Sequence, residues 1–147
     1  MKICIVSSAG GHLTEAHLLK SVYEKYVYFY IVNFRIVLTK EMVDKTYFIS
    51  HSERDLKFFI NLIESFYILR YEKPDVILST GAGLAVPISL IGRYIFSCKI
   101  IFIETMAAVE RPSLTGRIMY KIAHHFFYQW PVLKKYYPKA EYVGPLV

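Results

Sequence analysis

The sequence predicts an α/β fold, a Rossmann-like parallel sheet with helices on both faces. Short apolar runs alternate along the chain with stretches of helical periodicity, the pattern of strand–helix–strand units. Two of those runs end in small-residue turns, Gly10-Gly11 and Gly81-Ala82-Gly83, where a strand would pass into a helix. No repeat, low-complexity stretch or linker interrupts the pattern, so residues 1–147 are expected to form one domain.

Each element has a local reason. Residues 2–8 are a continuous apolar run and read as the first strand, with a first helix over 13–26. Residues 28–32 and 47–50 are strand-like, and the segment between them carries no clear period. Ser52 with Asp55 makes a weak capping box for a long helix over 53–72. In that helix Leu56, Phe59, Ile60, Ile63 and Phe66 or Tyr67 follow the 3.6-residue period. Phe58, Leu62 and Leu69 widen the stripe beyond what one sheet face needs. Two readings therefore stand: a well-buried core helix, or one showing an apolar face to a partner or membrane. Pro74-Asp75 ends the helix and opens a strand over 76–80. Residues 84–96 then read as helix, 99–104 as strand, 114–123 as helix, 125–129 as strand and 132–136 as a short helix. A last strand and turn fall at 142–145.

Composition narrows the function classes. Hydrophobic residues make up 54% of the chain, with 13 Tyr and 10 Phe. No stretch supplies the roughly 18–20 uninterrupted apolar residues of a spanning helix. The best candidate, residues 84–103, is broken by Pro87, Arg93 and Lys99. Excess apolar surface without a span suggests a partner or a bilayer face. The net charge of +6 favours anionic partners such as phosphates or acidic headgroups. No nucleic-acid partner is expected, because the basic residues form no dense run and no binding module. Cys4 and Cys98 each sit in a strand-like run, as buried thiols of a reducing compartment do. The first residues are too short for a signal-peptide core and fit a first strand, which implies a cytoplasmic location.

Ligands of an open parallel sheet sit beyond the carboxyl ends of its strands, so three loops matter. In the first, Ser7-Ser8-Ala9-Gly10-Gly11-His12, the glycines allow close backbone approach and the next helix offers free N–H groups to an anion. His12 stands where an imidazole would take a proton from a hydroxyl, although the same residues also suit a plain tight turn with a capping histidine. The second, Ser79-Thr80-Gly81-Ala82-Gly83, approximates a dinucleotide fingerprint with Glu104 beyond it, but Val86 replaces the last small residue. It reads better as the glycine-rich edge of some other cleft. In the third, between Glu104 and Gly116, Arg111 could meet phosphate, as could Arg117 and Lys121 one turn apart on the helix that Ser113 would cap. A solvated basic face is the equal alternative. His124-His125 fits a structural role, and no residue set has metal-site spacing.

In order and spacing these loops resemble one family across nearly the whole chain. The matching stretches include Val6-Ser7-Ser8-Ala9-Gly10-Gly11-His12, Lys73-Pro74-Asp75-Val76, Ser79-Thr80-Gly81-Ala82-Gly83, Ile103-Glu104-Thr105, Arg111-Pro112-Ser113-Leu114-Thr115-Gly116 and Gln129-Trp130. The family is that of the membrane-recruiting, acceptor-side subunit of the two-chain GlcNAc transferase in dolichol-linked oligosaccharide assembly, with its bacterial capsule and exopolysaccharide relatives. More distantly the chain is similar to the N-terminal half of the peptidoglycan GlcNAc transferase, which carries further glycines where Ser7 and Ser8 stand and a histidine where Ile103 stands.

The resemblance implies the N-terminal half of a GT-B glycosyltransferase. A separate chain would bind the UDP-sugar, and this one would dock a lipid-linked acceptor at the inner face of the cell membrane by peripheral contact. It implies an inverting transfer, with His12 and Glu104 as the catalytic pair. Ser8, Gly10, Gly11, Thr80, Gly81, Gly83, Arg111, Ser113 and Thr115 would form the substrate and phosphate contacts. No cofactor and no metal are expected.

Overall fold

The computed structural model describes residues 1–33, 45–49 and 57–146. They form one seven-stranded, wholly parallel sheet with helices on both faces. The strands are β1 (Lys2–Ser7), β2 (Val27–Asn33), β3 (Thr46–Ile49), β4 (Val76–Ser79), β5 (Lys99–Ile103), β6 (His125–Tyr128) and β7 (Glu141–Tyr142), in the order β3-β2-β1-β4-β5-β6-β7. Between them run α1 (Gly11–Leu18), α2 (Lys20–Tyr23), α3 (Lys57–Glu72), α4 (Ala85–Tyr94) and α5 (Leu114–Ile122), with a 3₁₀ turn at Pro131–Lys135.

β1 is apolar at successive positions because both of its faces are covered, as a central parallel strand requires. Cys4 and Val6 pack with Phe29, Ile31, Leu69, Ile88 and Met119 on the side of α3, α4 and α5. Ile3 and Ile5 pack with Tyr30, Val32, Ala16 and Tyr23 on the side of α1 and α2. Period-two alternation along β1 and β2 thus divides one apolar run between two cores. Both cysteines are buried and free, and burial pushes the Cys98 thiol up to about 11.

Two expectations are corrected. The first helix is not continuous over 13–26, since the Leu19 N–H bonds back to the Ala16 carbonyl and separates α1 from α2. The long helix is turned the other way round from its strongest apolar stripe. Asn61, Ser65 and Leu69 face inward, and Phe59, Ile60, Ile63 and Tyr67 face out. Small inward side chains let α3 approach α4 closely, and Ser65 returns its hydroxyl to the Asn61 carbonyl one turn back. The expected cap at Ser52 and Asp55, the Leu56 contact and Ser50 lie outside the described residues.

The foot of α3 is tied to the start of β1. Lys2 Nζ donates to Glu72 Oε2 at 2.8 Å and Tyr47 Oη to Glu72 Oε1 at 2.5 Å. Burial alone would raise the Glu72 pKa, but the bonds from Lys2 and Tyr47 hold it below the ordinary 4.5. A depressed carboxylate contributes stability that is complete above its unfolded pKa and is lost as pH falls. Glu72→Gln should therefore cost about 1 kcal/mol at neutral pH and flatten the acid limb of the stability curve, measured by urea unfolding across pH.

Candidate functional site

β1 and β4 are hydrogen-bonded neighbours, yet the chain leaves β1 toward β2 and β3 and leaves β4 toward β5 to β7. Connections running opposite ways open a crevice at the carboxyl ends of this pair. The first loop enters α1 there and the second enters α4. Neither helix has a side-chain cap. The Ala85 and Val86 N–H groups of α4 bond back to the Ala82 and Gly83 carbonyls, and those of Leu13 and Thr14 of α1 to the Gly10 carbonyl, so what both helices turn to the crevice is the positive end of the dipole. Gly10 reaches α1 through φ +88°, a conformation an L side chain rarely adopts. Its neighbour Ala9 donates its N–H to Asn33 Oδ1 at 3.0 Å, which fixes the loop to the end of β2.

His12 bridges the two loops. Its Nδ1 lies 3.1 Å from the Thr80 carbonyl, and Thr80 Oγ1 donates to the His12 carbonyl at 2.7 Å. A carbonyl oxygen only accepts, so Nδ1 carries the hydrogen, and in the neutral ring the lone pair is on Nε2. Gly81 makes this possible. A Cβ there would lie 2.5 Å from both Cε1 and Nδ1 of His12. The space that a dinucleotide fingerprint would open to pyrophosphate is thus filled by imidazole. Gly81→Ala should displace the ring and cost about 1–3 kcal/mol of stability, since it both overpacks and strains φ. The same variant should lose the protonated-Nδ1 tautomer in nitrogen NMR of His12.

The third loop is bolted from beneath. Glu104 is fully buried. Its Oε1 accepts from the Thr105 N–H at 3.1 Å and Ser113 Oγ at 2.7 Å. Its Oε2 accepts from the Ser113 N–H at 3.3 Å and Tyr137 Oη at 2.5 Å. Ser113 in turn caps α5 by accepting the Gly116 N–H at 2.8 Å. Glu15, one turn after His12 on α1, is also buried. It receives Thr105 Oγ1 at 2.9 Å, the Met106 N–H at 3.2 Å and Gln129 Nε2 at 3.0 Å. Gln129 Nε2 also reaches the Glu104 carbonyl at 2.9 Å, and Trp130 Nε1 holds the Met106 carbonyl at 2.7 Å.

Of the residues singled out from the sequence, His12 meets Thr80 and Gly81, while Ser8, Gly10, Gly11 and Gly83 belong to the same two loops, with open space beside the three glycines. Glu104 and Ser113 are engaged with one another, while Arg111 is exposed and Thr115 half-buried at the start of α5. Sequence reasoning missed Glu15, Asn33 and Tyr137. The available signal was Glu15 itself, a carboxylate three residues after His12 between the apolar Leu13 and Ala16.

A family model described as oligosaccharide biosynthesis protein Alg14 like matches residues 42–146. The chain belongs to the Alg14-like family. The match spans the second and third loops, and His12 lies before it. The human UDP-N-acetylglucosamine transferase subunit ALG14 is 38% identical over 88 residues, which are 56% of this chain and 41% of the human one. The fission-yeast (Schizosaccharomyces pombe) subunit of the same name is 41% identical over 75 residues, 48% of this chain and 36% of its own. The chain thus spans less than half the length of these Alg14 relatives.

Among solved structures, MurG of Acinetobacter baumannii superposes with TM-score 0.74 at 14% identity, over 97% of this chain and 45% of MurG. The UDP-N-acetylglucosamine 2-epimerase of Rickettsia bellii gives TM-score 0.76 at 10% identity, over 99% of this chain and 45% of the epimerase. At such identities the likeness concerns the fold, and that fold is the Rossmann-like half of a GT-B protein, as expected from the sequence.

Proposed function

We propose that this Alg14-like chain is the acceptor-side subunit of a two-part glycosyltransferase that moves a sugar from a UDP-sugar to a lipid-diphosphate-linked acceptor. The observation that carries the reading is His12 at the crevice between β1 and β4, with Nδ1–H held by the Thr80 carbonyl and Nε2 left to accept. In this scheme Nε2 takes the proton of the acceptor hydroxyl. The hydroxyl oxygen forms its bond to the anomeric carbon as the bond to UDP breaks on the opposite face, so configuration inverts. The Gly11 and His12 N–H groups at the start of α1, with Gly10 and Gly11 letting backbone come close, suit the acceptor diphosphate. Glu104 serves by fixing the third loop, and Glu15 by holding that loop against α1; Arg111 and Thr115 remain candidates for phosphate contact.

Donor binding falls to a separate chain in this reading, as the description of the relatives as transferase subunits suggests. Among the described residues no helix is long and apolar enough to cross a membrane. We place the chain in bacterial capsule or exopolysaccharide synthesis, on an undecaprenyl-diphosphate acceptor, in peripheral contact with the inner face of the cell membrane. The test is to co-purify the chain with its donor-binding partner and assay transfer from a panel of UDP-sugars to a diphosphate-lipid acceptor. UDP-GlcNAc-dependent transfer that needs both chains is expected, and transfer by the partner alone at the full rate would overturn the proposal.

A further inference from the structure

α1 carries His12 to the crevice with little apolar surface to hold it there. Of its eight residues only Glu15 and Ala16 are buried, Leu13 is half-buried, and the helix ends at the Leu19 break. An apolar contact is non-directional, so Leu13 and Ala16 fix neither the slide nor the roll of the helix over the sheet. The bonds between His12 and Thr80 hold its first turn, and a helix held at one point still swings about it. The second directional anchor is the Glu15 carboxylate, one turn after His12 and roughly 4.5 Å further along the axis.

Three residues converge on that carboxylate. Thr105 Oγ1 donates to Oε1 at 2.9 Å, the Met106 N–H to both oxygens at 3.2 Å, and Gln129 Nε2 to Oε2 at 3.0 Å. Gln129 is held with its NH₂ toward Glu15, because its Oε1 accepts the Leu146 N–H at 3.0 Å and its Nε2 also reaches the Glu104 carbonyl. Thr105 and Met106 open the third loop after β5, and Gln129 follows β6. One side chain thus ties α1 to the carboxyl ends of the two strands beyond β4, while His12 ties it to the end of β4 itself. A buried charge is tolerated only where such bonds satisfy it, and here the same bonds set a position.

We infer that Glu15 is the positioning residue of His12, holding α1 so that the imidazole keeps a fixed place against the second and third loops and so against an acceptor hydroxyl lying between them. This deepens the proposed function and rests on its reading of His12 as the base. Glu15 supplies reach rather than charge. In Glu15→Gln the amide oxygen at the Oε2 place still accepts from Met106 and Gln129, and the NH₂ turned to Thr105 meets a hydroxyl able to accept. Glu15→Asp keeps the charge and falls about 1.5 Å short.

The experiment is steady-state sugar transfer by the reconstituted pair, with nitrogen NMR of His12 recorded for each variant at a pH where the ring is neutral. Glu15→Ala should lower kcat about 10- to 10²-fold, the scale of an ångström-sized misplacement, with KM for the UDP-sugar unchanged. Glu15→Gln should stay within about threefold of wild type and Glu15→Asp should fall about tenfold, an order that a role for charge alone would reverse. These two variants carry the test should Glu15→Ala not fold. In a His12→Ala background, Glu15→Ala should cost less than about threefold more, because it acts through the base. The full loss repeated in that background would make Glu15 a structural residue and overturn the inference. So would wild-type kcat in Glu15→Ala or Glu15→Asp, with the transferase reading left standing. The alanine and aspartate variants should also lose the single Nδ1-protonated tautomer that Glu15→Gln retains, and an unchanged tautomer in both would overturn the inference whether or not sugar moves. The expected tautomer changes without sugar transfer by any pair, wild type included, would instead overturn the transferase reading alone.

Discussion

His12→Ala should lower kcat of the reconstituted pair about 10²- to 10⁴-fold, the range for loss of a positioned general base. That corresponds to about 3–5 kcal/mol of transition-state stabilisation. Its unfolding midpoint and its assembly with the donor-binding chain should stay near wild type, because the half-buried imidazole gives up one hydrogen bond to the Thr80 carbonyl. The base reading makes a sharper demand than lost activity. The space against Gly81 that the ring vacates should admit free imidazole, and added imidazole should restore part of the rate to His12→Ala. A structural role for His12 predicts no such rescue. Turnover of His12→Ala at the wild-type rate would reduce this chain to a recruiting subunit and leave the chemistry with its partner.

The layered sheet was legible because β1 and β2 carry their burial in plain period-two order and because small-residue turns mark two strand ends. The orientation of α3 was not. Every face of that helix except the one with Asn61 and Ser65 is apolar, and periodicity weighs hydrophobic strength and so aims Phe59, Ile63 and Tyr67 at the core. Close approach to α4 favours small side chains instead, and size outweighed hydrophobicity.

The site shows a related limit. Gly81 was visible as a glycine, but its reason is His12, which arrives from 69 positions earlier. Glu104 was visible as a carboxylate at a strand end. Its neighbours Ser113 and Tyr137 stand 9 and 33 residues further on, where no spacing rule connects them. Local pattern reports which loops are chemically rich, and only long-range contact reports which groups are already engaged.

The Glu104 cluster carries the second large expectation. Four donors converge on its two oxygens, from Thr105, Tyr137 and twice from Ser113. Glu104→Gln replaces one acceptor by an NH₂ donor, so whichever way the amide turns, a buried donor faces a donor. Each such loss costs about 1–3 kcal/mol, and a destabilisation of about 3 kcal/mol is expected by urea unfolding at neutral pH. Burial and the facing carboxylate push the Tyr137 phenol well up, so it remains a donor at neutral pH. A raised phenol contributes stability that is complete below its unfolded pKa and lost as pH rises. Tyr137→Phe should therefore cost about 1–2 kcal/mol at neutral pH and less in strong alkali. Because both residues share one hydrogen bond, the double variant Glu104→Gln with Tyr137→Phe should be less damaged than the sum of its parts. Gly116 closes the argument from the other side. A Cβ at that position would sit 1.8 Å from Glu104 Oε2 and 2.6 Å from Tyr137 Oη, so Gly116→Ala is accommodated only by breaking the cluster. It should unfold as early as Glu104→Gln, and an unshifted midpoint for Gly116→Ala would mean that the carboxylate does not face α5 in this way.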